Sequence, residues 1–431
     1  MTTKRNYAKS QALLTRAQRV IPLGSQTFSK SRVVYPENAA PLFLTHGKGS
    51  HVWDVDGNEY VDFVNGLLPV ILGYDDPDVI AAVTAQLQRG VTFSLATELE
   101  IELAELLTEI IPCAEMVRFG KNGSDATSAA VRIARACTGR DRVAVCGYHG
   151  WQDWYVGATT RNKGVPAAVG ALTEKFAYND LDALGQLLAS HPGEFAAVMM
   201  EPMNVEEPRE GFLQGVRDLA HDHGALFVFD EIITGFRYHL GGAQTLFEVV
   251  PDLATFGKSM GNGFPISAIV GHARYMAQME EIFFSSTFGG EALSLAASLA
   301  TIRKMQREPV HATLNAMGER VMNITRANIE RHGLADAMTI TGKPSWSLMQ
   351  FRDCRGASAS QVKSLFLQEV IARGVLTAGS YNMCYAHRDA DLDLLDKAQR
   401  EACAVVAAAL HVGDIDKRLY GAPIEPVFRV R

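Results

Sequence analysis

The sequence lacks paired cysteines, long apolar runs and an excess of basic residues, and each absence excludes a class of protein. Its six cysteines form no Cys-x-x-Cys pair, so neither a zinc ribbon nor a disulfide framework is predicted. Its apolar runs fall far short of the roughly 20 residues of a membrane-spanning helix, and residues 1–20 carry no apolar stretch typical of a secretory signal. These absences favour a protein of the reducing cytoplasm with no membrane partner.

The charge balance argues against a polyanionic partner. The chain carries 41 Lys+Arg against 48 Asp+Glu, a net charge of −7, and no run of basic residues. Because nucleic acids attract basic patches, we expect no nucleic-acid partner. With 431 residues, of which 47% are hydrophobic, the chain has the length of two or three globular domains.

The hydrophobic pattern changes along the chain. Residues 41–63 contain short β-like runs and an Asp-Gly turn, which predicts a small antiparallel meander. Between residues 75 and 275, short apolar runs alternate with helix-length segments. The predicted strands are 116–119, 143–146, 197–200, 226–229 and 267–270, and the predicted helices are 78–89, 98–110, 124–137, 180–190 and 212–223. Continuous apolar runs indicate strands covered on both faces, which is typical of a mostly parallel sheet.

The pattern therefore predicts a large α/β domain with a doubly wound, mostly parallel sheet and a smaller α+β domain. We place the large domain at residues 63–315 and the small domain at 316–431. The N-terminal segment, 1–62, is expected to pack with the small domain through its meander.

Ligands of such sheets bind beyond the carboxyl ends of the strands, so the residues that follow each apolar run are candidates. Gly123 and Ser124 begin a helix after one strand, where free N–H groups can hold a phosphate, although an ordinary helix cap explains them too. Tyr148 lies between glycines and either stacks on a flat ligand or belongs to a core aromatic cluster. His149 could be a base, but we favour a structural histidine.

Three further residues follow later strands. Asp230 ends a strand that is otherwise apolar, and a buried carboxylate needs a cationic or donor partner. Lys258 follows a short strand and is a candidate Schiff-base former or a surface lysine. Thr287 precedes a helix and offers a second anion site or a cap. A cofactor with a phosphate, a ring nitrogen and an aldehyde would use this set of groups, and pyridoxal phosphate is such a cofactor.

The same segments resemble a known family. HVWDVDGNEYVDF, NGSDATSAAVRIARACTGRD, GYHG, GALFVFDEIITGFR, FGKSMGNGFPISA and STFGGEALSLAA are similar to the class III aminotransferases of fold type I. They are most similar to the branch that contains glutamate-1-semialdehyde 2,1-aminomutase.

The resemblance implies a role for each site residue. Lys258 would hold pyridoxal phosphate covalently as an aldimine, and Asp230 would pair with the pyridine nitrogen. The remaining cofactor-binding residues would be Gly123 and Ser124 at the phosphate, Tyr148 and Ile232 on the two ring faces, Asn204 near the ring hydroxyl, and Thr287. The family's threonine reaches the cofactor of the neighbouring subunit, so the resemblance implies a homodimer. No metal site is expected.

Substrate identity is less closely specified. The N-terminal PLGSQTFSKSR lacks the arginine with which the aminomutases recognise a carboxylate, and only Lys30 or Arg32 is nearby. We therefore favour an aminotransferase that moves an amino group from a donor, by default L-glutamate, to a keto or aldehyde acceptor, for example a sugar-derived or secondary-metabolite compound. The alternatives are an intramolecular aminomutase and a non-catalytic dimeric binding protein of the same fold.

Overall fold

The structure, a computed structural model, describes residues 5–425 and divides them into two compact units. Residues 5–76 and 312–425 form one unit, and Pro77–His311 forms the other. The predicted domains extend to residues 1–4 and 426–431, which lie outside the described residues.

The helices and strands alternate through most of the described chain. The strands are β1 Leu44–Lys48, β2 His51–Asp54, β3 Glu59–Asp62, β4 Met116–Gly120, β5 Arg142–Cys146, β6 Thr173–Lys175, β7 Phe195–Met200, β8 Leu226–Asp230, β9 Leu253–Phe256, β10 Ser267–Gly271, β11 Met338–Lys343, β12 Trp346–Phe351, β13 Val375–Leu376 and β14 Ser380–Asn382. The α-helices are α1 Ala8–Ala17, α2 Pro77–Leu87, α3 Glu98–Ile110, α4 Gly123–Thr138, α5 Asp153–Val156, α6 Ala167–Gly170, α7 Leu181–Ser190, α8 Phe212–Asp222, α9 Ala243–Leu246, α10 Ala273–Met276, α11 Ala292–Arg307, α12 Val310–Arg331, α13 Ala359–Ala372, α14 Asp389–Val412 and α15 Ile415–Arg418. Short 3₁₀ segments occur at Pro22–Gly24, Phe28–Lys30, Arg32–Val34, Lys258–Gly261 and Ala277–Glu280.

One large sheet forms the centre of the unit Pro77–His311. Its strand order is β4-β10-β9-β8-β7-β5-β6. Strand β10 is antiparallel to its neighbours β4 and β9, and the other strands run parallel to one another. Every residue of β7, β8 and β9 is buried, because helices such as α4 and α8 cover the sheet. This arrangement confirms the predicted doubly wound, mostly parallel α/β fold.

The parallel strands bring their carboxyl ends to the same edge of the sheet. The segments that leave this edge begin at Lys121, Gly147, Glu201, Glu231 and Gly257. In sheets of this kind the edge is where ligands bind. The fold therefore gathers most of the predicted site residues in one place.

The other unit contains two smaller sheets. The predicted meander is present as the antiparallel strands β1, β2 and β3, and β13 joins it in parallel beside β3. The second sheet has the order β11-β12-β14 and is antiparallel. Helices α13 and α14 belong to the same unit.

The structure contains elements that the sequence pattern did not predict, among them strand β6 and the short helices α5, α6, α9 and α10. Strand β6, with the sequence Thr-Glu-Lys, was not predicted, because a short polar strand at the edge of a sheet has no apolar run.

None of the helices within residues 5–425 combines the length and the apolar composition that crossing a membrane requires.

Candidate active site

The start of α4 has the properties of an anion site. The carboxylate of Asp125 accepts hydrogen bonds from the N–H groups of Lys121 and Asn122 at 3.0 and 2.8 Å. The next two N–H groups, of Gly123 and Ser124, lie in the first turn, where an α-helix provides no acceptor of its own. The helix has 16 residues, so its dipole adds to the attraction for a negative group.

The hydroxyl of Ser124 is oriented by the neighbouring loop. Its oxygen accepts the N–H of Trp151 at 3.2 Å, so its single proton is available to another acceptor. Gly150 allows this close approach, because a Cβ there would lie 2.3 Å from the Ser124 oxygen. Thr127 ties the same loop to α4 by donating to the carbonyl of His149 at 2.9 Å. The cradle of Gly123 and Ser124 is therefore held by contacts from both segments.

Asp230 is a buried carboxylate with three donors. Its Oδ2 lies 2.8 Å from Nδ1 of His149. Its Oδ1 accepts the N–H of Ile232 at 3.1 Å and the hydroxyl of Thr255 at 3.2 Å. Asp230 and His149 are 3% and 1% exposed. These donors stabilise the negative charge that is predicted at this strand end.

A second buried carboxylate, Glu201, lies just beyond β7 and was not among the predicted site residues. Its Oε2 accepts the N–H of Tyr148 and the amide of Asn204, each at 2.9 Å. Burial raises its pKa, and the nearby charge of Asp230 raises it further. The backbone of Tyr148 and the side chain of Asn204, two predicted cofactor-binding residues, are thus anchored through the same oxygen.

Lys258 begins the 3₁₀ segment that follows β9. Its φ is +39°, a left-handed conformation that is costly for a residue with a side chain and is concentrated at functional sites. Burial lowers the pKa of its ammonium, partly offset by the charges of Glu201 and Asp230.

Ile232 connects the cradle with the lysine segment. A Cβ at Gly123 or at Gly257 would lie 3.1 Å from its side chain. Both glycines therefore let Ile232 approach the backbone closely. The structure brings Ile232, the cradle and the Asp230 strand end together, as the predicted ring contact requires.

Thr287 is not part of this cluster within the single chain. It is exposed in the segment before α11, and in the described structure no hydrogen bond or ion pair joins it to the other predicted site residues. Its predicted role needs a second subunit, so its position neither supports nor opposes that role.

Sequence reasoning missed three partners in this site. Glu201 follows the apolar run FAAVMM in the same way that Asp230 follows LFVF, and this signal could have identified it. His149 was expected to be structural, but its bond to Asp230 could not be read from the sequence. Thr255 is a central residue of β9, and only the pairing of Asp230 with Thr255 across β8 and β9 places its hydroxyl there.

The residues present fit pyridoxal phosphate. The cradle provides N–H and hydroxyl donors for a phosphate, Asp230 provides a charged acceptor for a ring nitrogen, and Lys258 provides an amine whose charge is disfavoured by burial. Each group of the cofactor therefore has a partner of matching chemistry at one edge of the sheet.

Comparison with known sequences gives the same chemistry. The sequence profile of the family described as Aminotransferase class-III matches residues 34–336. The chain is 36% identical over 420 residues to 3-aminobutyryl-CoA aminotransferase of Cloacimonas acidaminovorans, a match covering 95% of this chain and 100% of that protein. It is 35% identical over 431 residues to glutamate-1-semialdehyde 2,1-aminomutase of Chloroflexus aggregans, covering 92% of this chain and 98% of that protein.

Solved structures extend the similarity to the fold. The FumI protein of Sphingopyxis sp. MTA144, in its PLP internal aldimine form, matches with a TM-score of 0.87 and 29% sequence identity, covering 93% of this chain and 97% of that one. The chain therefore belongs to the class-III aminotransferases, enzymes of fold type I whose cofactor is pyridoxal phosphate.

Proposed function

We propose that this protein is an intermolecular aminotransferase in which Lys258 is the cofactor lysine. The observation that carries the proposal is the cluster at the edge of the large sheet, where Lys258 lies with the buried carboxylates Asp230 and Glu201. The amino donor is L-glutamate, and the acceptor is a keto or aldehyde compound, of which sugar-derived and secondary-metabolite compounds are the classes to test first.

Each residue has a specific task in this proposal. Bound pyridoxal phosphate supplies an electrophilic carbonyl and a ring that accepts electrons. Lys258 binds it covalently, and because burial disfavours its ammonium, the freed amine can take a proton from the substrate carbon and return it. Asp230 holds the proton at the ring nitrogen, while Gly123 and Ser124 hold the phosphate. Tyr148 and Ile232 cover the two ring faces, and Asn204 lies near the ring hydroxyl.

The N-terminal segment favours the aminotransferase over the aminomutase. The arginine that aminomutases use for a substrate carboxylate has no counterpart in PLGSQTFSKSR, and Lys30 and Arg32 are both exposed in short 3₁₀ segments. A lysine ammonium does not reproduce the two-pronged contact of an arginine. The relatives carry both names, so the aminomutase is the second candidate.

A homodimer is the functional unit that we propose. Leu95, Ile101 and Phe288 are 84%, 59% and 56% exposed. A groove of about 530 Å³ lies between α3, β4 and residues 284–290. Exposed apolar side chains around a groove are typical of a subunit interface. The same segment carries Thr287, which in a dimer would contact the neighbouring cofactor.

We also propose a cytoplasmic location. The six cysteines are all free thiols, which is what a reducing compartment maintains.

The first test is a half-reaction. The purified protein is loaded with pyridoxal phosphate, and its absorbance spectrum is recorded before and after addition of L-glutamate alone. We expect the band of the lysine-bound cofactor to disappear while one 2-oxoglutarate forms per site. A band unchanged by glutamate, together with isomerisation of glutamate-1-semialdehyde, would favour the aminomutase. Lys258→Ala must remove both the band and turnover, and an active Lys258→Ala would refute the site.

A further inference from the structure

Glu201 is a buried carboxylate to which the proposed mechanism assigns no task. It is 4% exposed and follows the fully buried strand β7. A buried charge is costly unless it is paired, and two neutral donors, the Tyr148 N–H and the Asn204 amide, are a modest compensation for a full charge. Glu201 lies at the edge of the sheet where the cofactor site lies, which calls for a functional explanation.

The contacts of Glu201 connect two loops of the site. Oε2 bonds the backbone of Tyr148, in the loop after β5, and the side chain of Asn204, in the loop after β7. A Cβ at Gly147 would lie 2.4 Å from the same oxygen, so the glycine is needed for this approach.

Three charged groups act on the ammonium of Lys258: Glu201 and Asp230 stabilise it, and Arg237 destabilises it. If Asp230 pairs with a ring nitrogen, its charge is balanced by that nitrogen. Glu201 is then the carboxylate that stabilises the ammonium of Lys258. The charges of Asp230 and His149 also act on the pKa of Glu201. The charge of Glu201 in turn raises the pKa of four nearby phenols, those of Tyr148, Tyr155, Tyr178 and Tyr238.

We propose that Glu201 is a positioning residue of the aminotransferase site, which fixes Tyr148 and Asn204 through Oε2 and balances the charge of Lys258. The inference rests on the proposed function, because it takes Lys258 as the cofactor lysine. It adds a residue that acts through its neighbours rather than on the substrate.

Two substitutions separate the two parts of this role. Glu201→Gln keeps an oxygen that can accept from Tyr148 and Asn204 but removes the charge. Glu201→Ala removes both. Glu206→Gln, at an exposed position of the same loop, is the matched control for the loss of one acidic charge.

The readout is the capture of pyridoxal phosphate by the cofactor-free protein, followed by absorbance across pH. Capture requires the neutral amine of Lys258, and removal of a nearby negative charge makes the ammonium less stable. We therefore expect the pH midpoint of capture to move by roughly one unit toward acid in Glu201→Gln, with cofactor affinity within about threefold of the original protein. In Glu201→Ala we expect the affinity to fall roughly ten- to hundredfold as well.

The outcomes that overturn the proposal differ for each variant. An unchanged midpoint in Glu201→Gln refutes the charge role, and an unchanged affinity in Glu201→Ala refutes the positioning role. A purely structural Glu201 would lower the thermal unfolding temperature of the variants without moving the midpoint. If Glu201→Ala fails to fold, Glu201→Gln still decides the charge role. Failure of the proposed function would look different, since the unsubstituted protein itself would not capture the cofactor through Lys258.

Discussion

At the scale of single residues, His149 determines how Asp230 can remain charged in a buried position. Its Nδ1 faces Asp230, while its Nε2 is buried and has no hydrogen-bond partner in the described part of the chain. A buried carboxylate oxygen without a hydrogen-bond partner is costly. We therefore assign His149 the role of holding Oδ2 of Asp230 in its buried position.

This assignment predicts a loss of stability on removal of the donor. We expect His149→Leu to lower the free energy of unfolding of the cofactor-free protein by about 2–4 kcal/mol, because Oδ2 of Asp230 would lose its partner in a buried position. Urea denaturation measures the change, and His411→Leu at the exposed end of α14 is the control. Equal urea midpoints for His149→Leu and the unsubstituted protein would contradict the assignment.

Single residues could be predicted from the sequence where a strand end marks them. Asp230 stands out because four apolar residues precede it, and Lys258 because glycines surround it. The partners that tune them come from other strands. Thr255 and His149 reach Asp230 only through sheet pairing and a loop, and a linear pattern contains no information about either contact.

At the scale of elements, the start of α11 has a built-in ion pair. Glu291 caps the helix by accepting the N–H groups of Leu293 and Ser294 at 2.8 and 3.2 Å. It also pairs with Lys121 at 3.0 Å, and both side chains are 13% exposed. Lys121 directly precedes the cap of α4, so the pair links the cradle segment to the segment of Thr287.

The pair gives a pH-dependent contribution to stability. Burial raises the pKa of Glu291, but hydrogen bonds from Ser294, Lys121 and Leu293 outweigh it and hold the pKa below its usual 4.5. The stabilisation is therefore complete above the unfolded pKa and is lost as pH falls through the lower folded value.

We expect Glu291→Gln to lower the free energy of unfolding by about 1–2 kcal/mol at pH 7, and the difference to shrink toward pH 3. Urea denaturation of both proteins at a series of pH values measures it, and Lys121→Met should reduce the same pH dependence. A difference that stays constant with pH would show that the charge of Glu291 contributes nothing.

A glycine in the loop after β5 gives an element-scale test of the phosphate cradle. Gly150 has a φ of +105°, and a Cβ there would meet the Ser124 hydroxyl. We expect Gly150→Ala to weaken pyridoxal phosphate binding by about tenfold or more, because Ser124 must move. Gly164→Ala is a matched control, since its φ is +91° but no atom lies within 4 Å of the added Cβ. Equilibrium titration of the cofactor measures both, and equal affinities for the two variants would contradict the role of Ser124.

The regular elements were predictable because their patterns are long. The predicted helix 98–110 is found with the same ends as α3, and 124–137 lies within α4. Strand β7 is apolar throughout and β8 is apolar up to Asp230, a pattern that is typical of strands covered on both faces. The positive φ of Lys258 could not be predicted, because a non-glycine residue adopts it only when the surrounding structure enforces it.

At the scale of the whole molecule, segments that are far apart in the sequence belong to the same compact unit. The described residues of the N-terminal segment share a unit with those of the C-terminal part. Pairing of β3 with β13 joins residues that are far apart in the sequence, and the hydrophobic pattern of either strand does not specify its partner. The proposed homodimer is still less accessible to sequence patterns, since the exposed apolar residues identify a surface and not its occupant.

Subunit mixing tests the shared site directly. If Thr287 acts on the neighbouring cofactor, a dimer of one Lys258→Ala chain and one Thr287→Ala chain has one site with both defects and one with neither. Random pairing of equal amounts would make half of the dimers mixed, so about a quarter of all sites should regain full cofactor affinity and turnover. If Thr287 acts within its own chain, every mixed site carries one defect and no activity returns. Refolding the two variants together and separately, with sizes checked by light scattering, decides between these outcomes. A monomeric protein would show no recovery at any mixing ratio, and the exposed residues around Thr287 would then need another partner.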